Sequence, residues 1–220
     1  MIQRFFDIAY LGLMTNLLLA LSCSPLVVVL MTTDPARSWP LLALLAPLAG
    51  PGVCGAFAVL AAYSADRDIA AARTFTRVWR ASARRSPALV AAATATLVVL
   101  GVDVRFAWGR PVGALVIPVL VVAMILVLAT TMLALVVLSE RPGVRVRDAS
   151  RVSLFLAVRH WYLTLFSLVV LGLFEVLLST RPAIALGLAA APLLYLVWSG
   201  SRFSLNAVLP ERSSVSRGAV

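Results

Sequence analysis

Apolar residues run through this chain in long blocks, not in alternation. Six blocks, at about 8–32, 40–64, 87–104, 112–139, 160–179 and 183–201, carry few charges or none. About 20 apolar residues carry a helix across hydrocarbon. No block alternates strictly, as a barrel strand would, and backbone groups in lipid must be satisfied within their own segment. The pattern therefore predicts an all-α fold: a polytopic bundle of about six transmembrane helices, with residues 1–220 forming a single membrane domain. The first block is too long for the apolar region of a signal peptide, and no small-residue cleavage site follows it, so it reads as a permanent span.

The polar positions cluster between the blocks, chiefly in basic segments at 65–86 and 140–159. Composition agrees with a membrane chain: 62% of residues are hydrophobic and 13% charged, with a mean hydropathy of +1.01. Soluble domains carry about a quarter charged residues and could not cover this much apolar surface. The net charge of +10 comes from arginine alone, a usage that fits a GC-rich coding bias. Fifteen arginines fall at the N-terminus, in the two basic segments and after the last block; the alternate loops hold Arg37, Arg105, Arg110 and Arg181. The positive-inside rule puts the richer set in the cytoplasm, with both termini. Trp39 and Trp108 then fall at outer boundaries, and Trp161, Tyr162, Tyr195 and Trp198 near inner ones. These positions fit a multi-pass membrane chain whose two termini both face the cytoplasm. Nucleic acid is not the expected partner: topology accounts for the charge, and no recognition motif accompanies it.

The stretch "ARTFTRVWRASARRSP" (72–87) repays closer reading. At helical spacing, Arg73, Arg77, Arg80 and Arg84 fall within about 60° of one another. Ala72, Phe75, Val78, Trp79 and Ser82 lie opposite them. This predicts a cytoplasmic amphipathic helix ending near Pro87, which suits the first turn of the next span. It can lie at the interface with its arginines among the phosphates of anionic inner-leaflet lipids, or it can dock a partner subunit.

Inside the spans, polar groups are few. Asn16 is expected to bond across to a neighbouring helix. Asp103 and Glu175 lie far enough along their spans to approach the outer interface, where Arg105, Arg110 or Arg181 can pair with them. The second span contains "APLAGPGVCGAF" (46–57). Pro47 and Pro51 each remove a helix hydrogen bond, and Gly50, Gly52 and Gly55 permit a kink or a break. Such a region either packs closely against neighbouring helices or, as in discontinuous transporter helices, exposes backbone to a ligand. "SCSP" (22–25) is a milder version in the first span. Cys23 and Cys54 read as small buried hydrophobes, and His160 as an interfacial residue. No metal-ligand cluster, phosphate loop or catalytic acid pair is present, so no enzymatic activity, metal or cofactor is expected.

The opening "RFFDIAYLGLMTNLLLALSCSPLVV" resembles the N-terminal span of the YesL-like bacterial membrane proteins. The shared features are the aromatic pair Phe5 and Phe6, then Asn16, Leu17 and Leu18, and later Pro25. Gly50 and Pro51 match a Gly-Pro element of the second span, and "RTFTRVWRASARRS" a basic segment with spaced aromatics. The resemblance covers about residues 4–90. It implies an accessory role in carbohydrate uptake, because members are often encoded beside sugar-uptake ABC transporters; ABC transporter subunits are then the expected partners. A small transporter or channel with its site near the second-span irregularity is the alternative. A permease-like ABC subunit ranks third, and association with a second copy stays open.

Overall fold

The computed structural model describes residues 2–65, 70–111, 113–140 and 190–206, with positions 169, 170, 172, 173 and 176. Among these residues the fold is helical throughout, with no strand. The helices are α1 (Ile2–Ser22), α2 (Ser24–Thr32), α3 (Pro35–Leu45), α4 (Ala49–Ala65), α5 (Ala71–Ser82), α6 (Arg85–Ala107), α7 (Gly113–Glu140) and α8 (Ala190–Asn206), with a 3-10 turn over Ala46–Leu48.

Among the described residues, three helices are long and apolar enough to cross a membrane: Arg37–Ala65, Arg85–Ala107 and Gly113–Glu140. They become four if α1 and α2 count as one bent span. Each lies within a few residues of an expected block. The block at 160–179 falls outside the described residues but for a few positions, of which Val170 is buried in the core. The block at 183–201 is described only from Ala190 onward, as α8. The basic segment 140–159 lies outside the described residues after Glu140.

The first span, expected over 8–32 with only a mild irregularity at "SCSP", is sharply bent there. Its two parts meet at 77°. Cys23 leaves the helical region (φ −95°, ψ 13°), and Pro25 stands in the first turn of α2, where its missing N–H costs nothing. The second span, which looked the more irregular, runs on from α3 to α4 through the 3-10 turn alone. Leu45 (φ −86°, ψ −19°) and Ala49 (φ −72°, ψ −24°) flank that turn and both keep right-handed helical dihedrals.

α4 is held by its surroundings more than by propensity, since each helical glycine costs about 1 kcal/mol relative to alanine. It buries every residue from Gly50 to Leu60 except Val53. Phe57, Leu60, Leu133, Leu135, Leu138 and Val197 form the main core between α4, α7 and α8. A second cluster joins Leu11 of α1 to Ala56, Val59 and Phe75. Burial is concentrated at one end of the long helices. In α6 only Ser86 and Leu89 are buried. In α7 all buried residues after Gly113 lie between Ala129 and Ser139. The far ends of these helices form a tight hairpin: Gly109 takes φ 78°, and Gly113 approaches the Ala107 carbonyl so closely that a Cβ would collide with it.

Candidate docking surface

The arginine-bearing segment forms α5, which packs along α4. Phe75 is its anchor, at 3% exposure. A Cβ built on Gly55 would stand 2.8 Å from two ring carbons of Phe75, so the glycine is the notch that admits the ring. The indole N–H of Trp79 donates to Ser22 Oγ at 2.8 Å, which ties α5 to the residue just before the elbow. Trp79 is otherwise partly exposed. The aromatic side of the helix thus meets α1 and α4, where the sequence suggested lipid.

The same close packing continues into α6. Gly50 sits against the backbone of Ser86, at 3.0 Å from its built Cβ, and Gly52 against Ser22 Oγ at 2.9 Å. Ser82 Oγ donates to the Val78 carbonyl at 2.8 Å, and Ser86 Oγ to the Ser82 carbonyl at 2.9 Å. Both hydroxyls border the Cys54 thiol, which lies 3.6 Å from the Leu135 carbonyl. These serines satisfy their own protons within the helix, so small residues can line a buried seam without orphaned polar groups. Pro51 is buried there too, while Pro47 lies in the 3-10 turn, partly exposed.

On the opposite side, Arg73, Arg77 and Arg80 are exposed on α5, and exposed Arg84 stands in the junction before α6. Among the described residues, none of the four arginines makes a side-chain hydrogen bond or ion pair. The helix is therefore fixed by one face and free on the other.

The intramembrane polar positions go to different places. Asn16 is buried at 3% exposure, and its Oδ1 accepts from the Ala191 backbone N–H of α8 at 2.6 Å. Its neighbour Thr15 is fully buried and bonds back to the Leu11 carbonyl at 2.7 Å. Asp103 and Arg105 are exposed near the end of α6, and the Arg110 guanidinium stacks 3.6 Å above the Phe106 ring. Glu175 lies outside the described residues. Among the described residues, no group of three or more His, Cys, Asp or Glu side chains is placed to hold a metal ion.

Ser22 and Ser86 are contact residues that sequence reasoning did not single out. The available signal was their pairing with the glycines: a small residue on each of two helices allows backbones to touch. Set against known protein families, curated proteins and solved structures, the chain matches none of them.

Proposed function

We propose that this chain is a non-catalytic, multi-pass protein of a bacterial cytoplasmic membrane, serving as an accessory component of carbohydrate uptake by an ABC transporter. In this reading it has six spans and both termini in the cytoplasm, and α5 is its amphipathic cytoplasmic docking element. One observation carries the docking role: α5 is bolted to the bundle through Phe75 and Trp79, while Arg73, Arg77 and Arg80 on it and Arg84 just after it stay unengaged among the described residues. A helix spent only on topology would need the charge but not the fixed bearing. The resemblance to YesL-like proteins supports the link to sugar transport. The close packing at Gly50, Gly52 and Gly55 favours a scaffold over a conduit at that place.

Orientation has a direct test. A C-terminal fusion to a periplasm-dependent enzyme should be inactive, and a fusion to a fluorescent protein that folds only in the cytoplasm should be bright. An active periplasmic reporter would overturn the topology. The functional link is tested by purifying the full chain from its native membrane in mild detergent. Transporter permease or ATPase subunits should co-purify, and a deletion strain should grow slowly on at least one transported sugar. Recovery of the chain alone, with normal growth on every sugar tried, rejects the accessory role.

A further inference from the structure

The face that begins with the arginines of α5 continues past them. Ala83 (φ −55°, ψ −21°) and Arg84 (φ −101°, ψ −31°) form the junction to α6, and both keep right-handed helical dihedrals. The three-and-four spacing therefore carries into the next helix. Arg73, Arg77, Arg80 and Arg84 are followed at that spacing by Ala88, Ala91, Ala95 and Val99, and all eight are exposed. Half of one continuous face is basic, and the other half is apolar with small side chains.

The two halves match the two halves of a phospholipid. Guanidinium groups bind phosphate oxygens in pairs, and on a fixed helix little side-chain freedom is lost in doing so. Ala88 to Val99 spans about 16 Å at helical rise, close to the hydrocarbon depth of one leaflet, about 15 Å. α6 has room for an acyl chain there, since only 6% of its apolar window is buried. An acidic protein surface would satisfy the arginines but would not extend onto the apolar run of this membrane-length helix. A soluble anion would do the same.

We infer that this face binds an anionic phospholipid, its phosphate held by Arg77, Arg80 and Arg84 and an acyl chain laid along Ala88 to Val99. The inference rests on the reading that α5 lies at the cytoplasmic surface. It names a lipid as the surface on which the arginine row of α5 docks.

Native mass spectrometry of the full-length protein in detergent tests it, with phosphatidylglycerol, phosphatidylcholine of the same chains, dihexanoyl phosphatidylglycerol and inorganic phosphate as probes. Phosphatidylglycerol should bind at least tenfold more tightly than phosphatidylcholine. The triple variant Arg77→Gln, Arg80→Gln, Arg84→Gln should weaken phosphatidylglycerol about a hundredfold, at about fivefold per arginine. Phosphatidylcholine binding should not change, and Arg110→Gln should have no effect on either lipid. Replacing Ala91 and Ala95 by phenylalanine should weaken the long-chain lipid and spare the dihexanoyl form. Equal affinity for the two headgroups, or full retention of phosphatidylglycerol by the triple variant, overturns the proposal. Inorganic phosphate competing as well as the long-chain lipid would reduce the face to an anion site and also overturn it. Loss of a co-purifying subunit from the triple variant, with lipid binding intact, would assign the face to a protein instead. Reporter orientation and co-purification are read without added lipid, so failure of the functional reading is seen separately.

Discussion

Phe75→Ala should detach α5 from the bundle while the membrane-length helices stay folded. Phe75 is the only large side chain that α5 buries, beside Ala71 and Ser82. Truncating a buried phenylalanine costs about 3–5 kcal/mol. What remains is the packing of Ala71 and Val78 and the Trp79–Ser22 hydrogen bond, the last worth about 1 kcal/mol. Twelve residues are too few for a helix to persist on its own in water. The loss should therefore appear as local opening and not as global unfolding. Hydrogen exchange will read it directly: α5 amides should lose about two orders of magnitude of protection, and those of Leu135 to Leu138 in α7 should hold theirs. Unchanged protection in α5 would mean that Phe75 is not the anchor.

The notch makes a second, sharper arm of the same prediction. Gly55→Leu forces a side chain into the space of the Phe75 ring, an overpacking that costs about 1–3 kcal/mol. In the double variant Gly55→Leu, Phe75→Ala the new leucine occupies the vacated ring position. The two losses should then fall short of their sum by about 1 kcal/mol or more, as expected for residues in contact. Thermal midpoints in detergent give all four corners of the cycle. Strict additivity would place the two residues out of contact.

The long helices were legible because hydrocarbon imposes a length and a composition that no tertiary contact can relax. Helix ends at Arg85, Ala107 and Gly113 fall within about three residues of the expected boundaries for this reason. Bends were not legible from residue type. "APLAGPG" holds two prolines and looked worse than "SCSP". Yet Pro47 opens a 3-10 turn and Pro51 falls in the first turn of α4, places where a missing N–H breaks nothing. The single Pro25 follows a residue that has already left the helix, and there the chain turns by 77°. The arginine row was legible as a spacing, because exposure on a helix follows the 3.6-residue period. What its aromatic side touches was not, since lipid and a neighbouring helix both accept Phe75. Only the void at Gly55 decides between them, and a void is a property of two helices together.

Asn16 poses that problem in its most remote form, because its partner lies 175 positions away. Its Oδ1 accepts from the Ala191 N–H of α8, so a side chain of α1 satisfies a backbone donor of another helix. Interhelical hydrogen bonds in membrane proteins average only about 0.6 kcal/mol. Breaking this one by Asn16→Leu should cost more, about 1–3 kcal/mol, because an apolar side chain of similar size leaves a buried donor with no partner. Both ends are sealed, with Asn16 and Ala191 each 3% exposed. Asn16→Ala should cost less than Asn16→Leu if a water can enter the space and take the N–H. The order of the two variants is thus the informative result, read from thermal stability and from exchange at Ala191. Should Asn16→Leu fall within about 0.5 kcal/mol of the parent, the range of a neutral surface change, the bond would contribute nothing to joining α1 to α8.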